Sequence, residues 1–450
     1  MSIDDFIATA FNLRTEDIQC FKSEKKEGIF YVYITLTDKH PTCTFCGGQT
    51  VIKEYKDRHY THLPFFGIPC IIVWHRRRYK CKDDGKTFSE DNPFGPENYH
   101  LTYALLDQIA IDLKSPHKSF TDIAHARGIS VPTVSLYADS FLHAPRQLLP
   151  VSLGIDEIHS DMAKYGGSYL CVMVDNEGRN LTEILPNRSK KHLSKYFESI
   201  PLQERNRVLY VTIDLWDPYK EVAEKYLKSA YIAADPFHVI KHLVDNFTRL
   251  RVKTMNQCVY NSPAYYLLKH WNKLFTTDWN LDNKPKYNGY FKQKMNYRDL
   301  YNLLLTVSPE LTKAYYLMDK YRTFNKTATE ENCEEQFDTL LTLFKESGLS
   351  CYDEFIGLLT NWRTEILNSF KRPFNERKLS NAFTENTNER LRELLDVSNG
   401  MANFDRFRQR ALYCFNEHVF YSITSHLTNN KRKGRPRGHY RKNSSSKQHN

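Results

Sequence analysis

Two aspartates that each follow a run of mostly apolar residues have the clearest potential for chemistry. Residues 151–155 precede Asp156, and residues 208–213 precede Asp214. Such runs predict strands buried on both faces, and acids at the carboxyl ends of neighbouring strands meet in one crevice. Glu385, on a predicted helix 171 residues after Asp214, supplies a third carboxylate. Three converging carboxylates favour divalent metal and phosphate, which predicts an enzyme that acts on nucleic-acid phosphodiesters.

Three cysteines near the amino terminus indicate a second metal site. Cys43 and Cys46 have the Cys-x-x-Cys spacing of a zinc knuckle, and Cys81 lies in a sequence shaped like a second knuckle. Asp84 stands where the fourth cysteine belongs, so we predict that these four side chains bind Zn²⁺. A metal-free remnant of a zinc fold is the alternative for the whole segment. The alternatives for the fourth ligand are His75 and Cys70.

Residues 121–141 have the pattern of a helix-turn-helix. Gly128 permits a turn between two helices, and a serine two residues later is suited to cap the second helix. The second helix of such a motif can enter the major groove of DNA. An ordinary helical hairpin inside a packed domain is the alternative. The predicted DNA-binding residues of this helix are Ser130, Thr133, Ser135 and Tyr137.

The positive charge of the chain is concentrated at its carboxyl end. Eight of the ten net positive charges come from residues 431–450, which contain no acid. Residues 433–438 resemble an AT-hook, in which Arg435 and Arg437 would enter the minor groove of A·T tracts. A cationic tail that binds phosphates without sequence preference is an equally good interpretation. We expect this segment to be disordered when it is free of DNA.

Composition and hydropathy favour a soluble intracellular protein. A length of 450 residues corresponds to roughly two to four domains, and a hydrophobic fraction of 41% is enough for their cores. The first residues are acidic and show no secretory signal, and the apolar run at residues 68–74 is far too short to cross a bilayer. The ten scattered cysteines do not suggest a disulfide framework. We therefore expect a cytoplasmic location and no membrane partner.

The order of predicted elements between residues 151 and 234 indicates the fold class. Three consecutive strands, a helix, a strand that ends at Asp214, a helix and a short strand follow one another. By analogy, this is the order of a ribonuclease-H-like fold. The predicted strands are 151–156, 168–174, 181–185, 208–214 and 230–234, and the predicted helices are 190–200 and 218–228.

The predicted fold class is α/β, with a ribonuclease-H-like catalytic core that is interrupted by a helical insertion. Zinc-ribbon-like and helix-turn-helix domains precede this core. The predicted segments are 1–95 for zinc binding, 100–148 for the helix-turn-helix domain, 150–245 for the first part of the core, 246–375 for the helical insertion, 376–427 for the C-terminal helices of the core with Glu385, and 428–450 for the basic tail.

The chain resembles the transposases of the insertion-sequence family called ISL-three (ISL3), which belong to the DDE transposases. The likeness covers nearly the whole chain. It rests on the cysteine segment, on blocks around the three acids, and on residues behind the third acid. These blocks are Cys43-Thr44-Phe45-Cys46, His62-Leu63-Pro64, Gly67, Arg77-Arg78-Tyr79-Lys80-Cys81, Thr87-Phe88-Ser89-Glu90, Leu153-Gly154-Ile155-Asp156-Glu157, Ile213-Asp214 with Pro218-Tyr219, Asp235-Pro236-Phe237-His238-Val239, Ser380-Asn381 with Glu385 and Asn388, and Gly400, Asn403, Phe404, Phe407 and Arg410.

The resemblance implies a function and a set of ligands. Asp156, Asp214 and Glu385 would be the catalytic acids and would bind Mg²⁺ or Mn²⁺, while the amino-terminal segment would bind Zn²⁺. The partner would be double-stranded DNA, both the terminal inverted repeats of an insertion sequence and the target DNA. Because two ends must be brought together, we expect a homodimer or a higher assembly on DNA. The expected location is the bacterial cytoplasm, in association with the nucleoid.

Three positions depart from the pattern of the family. Asn386 replaces a usual glycine, Asp396 stands where a basic residue is expected, and the fourth zinc cysteine is absent. Two alternatives therefore stay open: a catalytically inactive DNA-binding protein derived from a transposase, and a ribonuclease-H-like nuclease that only hydrolyses.

His238 and His242 share a helix face as in zinc proteases, but no glutamate base lies between them. We therefore reject a protease and expect His238 near the acids, because the family signature includes it.

Overall fold

The computed structural model describes residues 9, 11, 13–97, 99–162, 167–374, 377–398 and 403–417. These residues belong to two compact units. The first unit takes its residues from the ranges 1–145, 394–401 and 405–450, and the second from 146–393 and 402–404. This division differs from the predicted segments, because the zinc-binding and helix-turn-helix segments share one unit and the range 376–427 contributes to both.

A five-stranded sheet forms the amino-terminal part of the first unit. Its order is β1-β2-β4-β3, with β5 beside β4, and only β2 and β4 are parallel neighbours. The apolar run at residues 68–74 lies within one of these strands. A 3₁₀ turn (Thr15–Asp17) precedes the strands β1 (Ile18–Lys26), β2 (Ile29–Leu36), β3 (Thr50–Phe65), β4 (Ile68–Cys81) and β5 (Thr87–Ser89).

Alternation of side chains along β2 explains how this sheet is oriented. Val32, Ile34 and Leu36 are buried, whereas Tyr33 between them is exposed. Successive side chains of a strand point to opposite faces, so every second residue meets the core. Trp74 of the neighbouring strand β4 is fully buried in the same core. One face of the sheet is therefore packed, and the other carries tyrosines and charged residues.

Helices complete the first unit, and they include the predicted helix-turn-helix pair. Gly128, with a φ of 65°, ends the first helix of the pair in the left-handed conformation that glycine adopts readily. Ser119 and Asp122 form a capping box at the start of that helix, and Ser130 caps the second helix. The helices are α1 (Tyr103–Lys114), α2 (Phe120–Arg127), α3 (Val131–Phe141) and, as the last helix among the described residues, α16 (Phe404–Phe415).

The second unit is built on a mixed five-stranded sheet in the order β10-β9-β6-β7-β8. The pairs β6–β7 and β7–β8 are antiparallel, and the pairs β6–β9 and β9–β10 are parallel. Most residues of these strands are buried, as the apolar runs predicted. All five predicted strands are present, as β6 (Ser152–His159), β7 (Tyr169–Asp175), β8 (Asn180–Leu185), β9 (Tyr210–Ile213) and β10 (Tyr231–Ala234).

Helices connect the parallel strands. The predicted helices at 190–200 and 218–228 are present, and a short helix lies between them. Helix α6 places one face in the core through Tyr219, Val222, Ala223 and Tyr226, a spacing of three to four residues that matches the helical period. These helices are α4 (Lys190–Glu198), α5 (Leu202–Arg205) and α6 (Asp217–Tyr226).

The insertion after β10 is mostly helical, as predicted, but its expected start is wrong. The predicted boundary between residues 245 and 246 falls inside one helix, whose buried face continues through Leu243, Phe247 and Leu250. A short antiparallel hairpin also lies in this segment and was not predicted. The elements are α7 (Pro236–Gln257), α8 (Pro263–His270), α9 (Lys273–Thr276), β11 (Lys286–Asn288), β12 (Gln293–Met295), α10 (Tyr297–Thr306), α11 (Pro309–Thr327), α12 (Cys333–Glu346), a 3₁₀ turn (Ser350–Tyr352), α13 (Asp353–Asn361) and α14 (Arg363–Asn368).

The predicted helix with Glu385 is present as α15 (Ala382–Val397). It approaches strand β6 very closely at Gly154, where a Cβ atom would lie 2.4 Å from Thr384 Oγ1. Only glycine allows this approach without a shift of the neighbouring atoms. Among the described residues, no helix is both long enough and apolar enough to span a membrane.

Candidate catalytic carboxylates and zinc site

The sheet of the second unit brings Asp156 and Asp214 together. Strands β6 and β9 are parallel neighbours in which Ile155 pairs with Ile213, so the aspartates that follow lie side by side. Both are largely buried, with 7% and 8% of their surface exposed. The expectation that Asp156 ends its strand is wrong, because antiparallel pairing with β7 extends β6 to His159. Asp214 does follow the last residue of β9, as predicted.

Hydrogen bonds hold both carboxylates in fixed orientations. Asn388 donates from Nδ2 to Asp156 Oδ2 at 2.6 Å. Asn381 donates from Nδ2 to the carbonyl of Ile155 at 3.1 Å, and the same nitrogen lies 3.5 Å from Asp214 Oδ1. Both asparagines come from the segment that contains α15, so this segment positions two acids as well as supplying Glu385.

Glu157 is a further acid in this cluster, and the sequence analysis did not select it as a site residue. One ligand atom each from Asp156, Glu157 and Asp214 lie within 4.8 Å of one another. Arg188 forms an ion pair with Glu157, and Tyr219 donates its hydroxyl to Glu157 Oε2 at 3.2 Å. Burial raises the pKa of Glu157, while the positive charge of Arg188 opposes that rise.

Asp235 and His238 form a second cluster with Asp214. His238 Nε2 lies 3.1 Å from Asp214 Oδ1 and 4.0 Å from Asp235 Oδ2. The backbone N–H of Asn381 donates to Asp235 Oδ1 at 3.2 Å, whereas Asp235 Oδ2 is buried and makes no hydrogen bond with the described residues. The expectation that His238 lies near the acids is confirmed. Asp235 was identified in the sequence only as part of a family block, not as a site residue.

Glu385 lies on the first turn of α15 and is half-buried. Burial raises the pKa of its carboxyl group, and the negative charge of Asp156 adds to this rise, so the two acids face a common region. Glu385 does not belong to the two groups of ligand atoms that lie within 4.8 Å of one another. The other acids of this helix, Glu389, Glu393 and Asp396, are exposed.

The acids repel one another electrostatically, and this repulsion favours a cation. Burial and the negative charge of Asp156 raise the pKa of Asp214 far above its ordinary value. Burial raises the pKa of Asp235 to about 6. Oxygen ligands of this type are those that Mg²⁺ and Mn²⁺ prefer, and a divalent cation would relieve the repulsion between buried carboxylates. The unpartnered Asp235 Oδ2 is consistent with such a ligand.

The first unit assembles the predicted zinc ligands. Cys43, Cys46, Cys81 and Asp84 each offer a ligand atom within 4.8 Å of the others. The Sγ atoms of Cys46 and Cys81 are 3.4 Å apart, and Cys43 Sγ lies 3.9 Å from Asp84 Oδ2. Gly47, with a φ of 73°, forms the turn that brings the first two cysteines to the end of β4. Three thiolates and one carboxylate are ligands that zinc accepts in tetrahedral sites.

The two alternative fourth ligands lie elsewhere. Cys70 is fully buried in the apolar core of the sheet. His75 Nδ1 contacts Asp57 Oδ1 at 2.7 Å, and its ring stacks on Tyr55 with a centroid distance of 4.5 Å. Neither belongs to the cluster around Cys43, so Asp84 is the fourth candidate that the geometry favours.

The helix-turn-helix residues divide into exposed and buried sets. Ser130 is exposed but caps α3, and its hydroxyl lies 2.7 Å from Thr133 Oγ1. Thr133 and Ser135 are half-buried. Tyr137 is only 6% exposed and stacks on Phe141, so the prediction that it contacts DNA is wrong: its ring packs in the interior of the unit. Arg435 and Arg437 lie outside the described residues.

Comparisons with known proteins identify the family of the chain. Residues 153–411 match the ISL3 family of transposases, and residues 39–84 match the family described as a zinc-finger of transposase IS204/IS1001/IS1096/IS1165. The chain therefore belongs to the ISL3 transposase family, and its amino-terminal segment matches the zinc-finger of transposases of this kind. The site in the second unit lies within the matched range, and so do Asn381 and Asn388.

Two curated relatives are insertion-sequence transposases. The chain is 24% identical to the "Transposase for insertion sequence element IS1001" of Bordetella parapertussis over 360 residues, which cover 76% of this chain and 82% of that protein. It is 31% identical to the "Transposase for insertion sequence element IS1557" of Mycobacterium tuberculosis over 88 residues, which cover 20% of this chain and 19% of that protein.

Proposed function

We propose that this protein is a DDE transposase that cleaves and joins DNA at the ends of an insertion sequence. The observation that carries this proposal is the pair Asp156 and Asp214 on adjacent parallel strands, with Glu385 on a helix that packs against the first of them. Three antiparallel strands followed by two parallel ones, in the order β10-β9-β6-β7-β8, support a ribonuclease-H-like core.

In this proposal Asp156, Asp214 and Glu385 hold two Mg²⁺ or Mn²⁺ ions. When bound, such a pair of ions neutralises charge at the phosphate and favours both the attacking and the leaving oxygen. The mutual repulsion of the buried carboxylates and the unpartnered oxygen of Asp235 support this assignment. Zn²⁺ would be held by the four-residue cluster of the first unit and would stabilise its fold.

The remaining side chains of the cluster orient the acids. Asn388 fixes the rotamer of Asp156, because its amide can only donate to the carboxylate from Nδ2. His238 Nε2 contacts Asp214 Oδ1. Such hydrogen bonds to ligand carboxylates keep the ligand atoms in place when the substrate arrives.

The proposed reaction has two transfers at one phosphodiester site. Water first attacks the phosphorus at an element end, the bond to the 3′ oxygen breaks, and a 3′-hydroxyl is freed. That hydroxyl then attacks a phosphodiester of the target DNA, which forms one new phosphodiester and releases another 3′-hydroxyl. In this scheme no side chain becomes covalently attached to DNA. The number of phosphodiester bonds is conserved in the second transfer, so no external energy source is needed.

DNA recognition is assigned to the first unit and to the tail. The helix α3, through Ser130, Thr133 and Ser135, and the zinc segment would bind the terminal inverted repeats. The cationic residues 428–450 would bind phosphates or the minor groove. Because two ends must be held together, a homodimer or a higher assembly on DNA is proposed, with activity in the bacterial cytoplasm at the nucleoid.

The test compares cleavage with binding in matched variants. Asp156→Asn, Asp214→Asn and Glu385→Gln keep the shape of each side chain but remove its charge, so each should abolish cleavage of end DNA and leave end binding largely unchanged. Glu393→Gln, which changes an exposed acid on the same helix, should retain cleavage. Cleavage by any of the three variants would remove that residue from the proposed site.

The same experiment separates two other functions. Binding of end DNA without any cleavage by the unmodified protein, over a titration with Mg²⁺ and Mn²⁺, would indicate an inactive DNA-binding relative of transposases. Cleavage without joining of pre-nicked ends to target DNA would indicate a nuclease that only hydrolyses. Joined products from pre-nicked ends would support the transposase.

A further inference from the structure

A large cavity lies in the second unit beside the start of α15, the helix that carries Glu385. Its volume is about 890 Å³, within the size range of sites that bind small molecules or segments of larger ones. Its wall is formed by the first residue of β6, the turn between β7 and β8, the segment before α15, and the first turns of α15. The cavity therefore adjoins the proposed catalytic site, although none of the carboxylates of that site lines it.

The wall of the cavity is positively charged. Among the described residues, Arg179, Arg377 and Lys378 line it, and Glu177 is the one acid. Among the residues that the structure describes, neither arginine forms an ion pair with an acid. Burial lowers the pKa of Lys378 to about 8, and its ammonium group donates to the carbonyl of Asn325. The two arginines are therefore the cations that a ligand would meet first.

Neutral hydrogen-bond donors accompany these cations. Ser380 and Asn386 line the cavity, and so does Asn176, whose Nδ2 atom is buried without a hydrogen-bond partner in the described part of the chain. Arginine, serine and asparagine are the side chains that commonly contact the phosphates of DNA. The combination predicts an anionic ligand with several acceptor oxygens.

Arg179 has an unusual backbone conformation. Its φ of 52° lies in the left-handed region, which costs most side chains energy and which glycine or asparagine normally occupies in a hairpin turn. Such residues cluster at functional sites, but Lys292 has the same φ and does not line the cavity, so the backbone alone does not mark a site. Glycine at position 179 would adopt this conformation without strain.

We propose that this cavity binds the phosphate backbone of the DNA strand that enters the carboxylate cluster, with Arg179 and Arg377 as its phosphate contacts. The inference rests on the proposed function, because it assigns part of the substrate to that site. A strand held here passes along the exposed side of the first turns of α15 on its way to Glu385. Asn386, which is exposed and follows Glu385 directly, then lies on the path of the strand.

The experiment uses two variants that relieve the same strain and remove the same charge. Arg179→Gly acts at the cavity. Lys292→Gly acts at the turn between β11 and β12 in the same unit, where the lysine is exposed and has a φ of 52° but does not line the cavity. Binding of end DNA by the full chain is measured without added Mg²⁺ or Mn²⁺ over a series of salt concentrations, so that no cleavage occurs and the proposed zinc site keeps its ion.

Arg179→Gly should weaken binding and reduce the slope of log affinity against log salt by about 0.9, the value for one lost phosphate contact on duplex DNA. Its melting temperature should be equal to or higher than that of the unmodified protein. Lys292→Gly should have the same melting temperature as Arg179→Gly, but it should keep the salt slope of the unmodified protein. Arg377→Gln should reduce the salt slope by the same amount without changing a backbone conformation. This variant therefore tests whether the effect of Arg179→Gly comes from the lost charge or from a change in the turn between β7 and β8.

Three results would overturn the inference. One is an unchanged slope in both arginine variants, and another is an equal loss in Lys292→Gly, which would indicate a general effect of charge. The third is displacement of DNA from the cavity by inorganic phosphate, at phosphate concentrations that leave DNA bound to the rest of the protein. This result would indicate that the cavity is a site for a free anion. Failure of the proposed function has a different signature, since the unmodified protein would then not cleave or join end DNA at all.

Discussion

Replacement of Asp214 by asparagine should make the metal-free protein more stable at neutral pH. Burial and the negative charge of Asp156 raise the pKa of Asp214 to about 10 in the folded protein. A carboxyl group with a raised folded-state pKa holds a proton that the unfolded chain releases above about pH 4. Its contribution to stability is therefore complete below that pH and is lost as the pH rises toward the folded-state pKa. The loss amounts to about 1.4 kcal/mol per pH unit.

The amide that Asp214→Asn introduces does not titrate, so the two proteins should diverge with pH. Between pH 5 and pH 8 the free energy of unfolding of the unmodified protein should fall by about 4 kcal/mol relative to Asp214→Asn, an order-of-magnitude figure from the slope above. Urea unfolding in EDTA, followed by tryptophan fluorescence, measures this difference. Four of the five tryptophans, namely Trp216, Trp271, Trp279 and Trp362, lie in the second unit and report on it.

Two controls make the result decisive. Asp217→Asn removes an exposed acid from the next helix and should keep the pH dependence of the unmodified protein. Saturating Mg²⁺ should stabilise the unmodified protein, by about 2.7 kcal/mol at a hundred times its dissociation constant, and should stabilise Asp214→Asn much less. Parallel curves for the unmodified protein and Asp214→Asn over this pH range would refute the electrostatic reasoning about the cluster.

Two further predictions concern the first unit and the tail. Purified protein should contain one zinc ion per chain, and the variants Cys43→Ser and Cys81→Ser should lose it. Asp84→Cys should bind zinc more tightly, because thiolate is the softer ligand. Metal analysis of the purified protein that finds no zinc would contradict this prediction. Truncation after Thr428 removes eight of the ten net positive charges. It should reduce the salt slope of DNA binding by roughly 3 to 4 if four phosphate contacts are lost, and should spare the preference for terminal repeats. Loss of that preference with an unchanged slope would instead make the tail a sequence reader.

The strands of the second unit were predictable because they are buried on both faces. β7 and β9 consist almost wholly of apolar residues, and a continuous apolar run between turn signals needs no knowledge of its neighbours to be recognised. The strand β3 was missed for the opposite reason. It spans Thr50–Phe65, most of its first ten residues are exposed, and charged residues interrupt any alternation. Its strand conformation comes from pairing with β4, which its own sequence does not reveal.

The residues that orient the acids could not be found from local sequence. Asn381 and Asn388 act on Asp214 and Asp156, which lie in a distant part of the chain, and no spacing rule connects them. They were noticed only as parts of a family block. The error at Tyr137 was avoidable, because Val134, Tyr137 and Phe141 recur at helical spacing and so mark the buried face of α3.

The site is completed late in the synthesis of the chain. Asn388 and Asp156 are separated by 232 positions, and Glu385 follows Asp214 by 171. A ribosome that adds about 5–20 residues per second needs roughly 10 to 30 s to pass from the second acid to the third. During that interval the nascent polypeptide carries both aspartates without the helix that orients them. Under the proposed function, the protein cannot cleave DNA before its third acid has been synthesised, and a chain that ends prematurely inside the insertion lacks that acid.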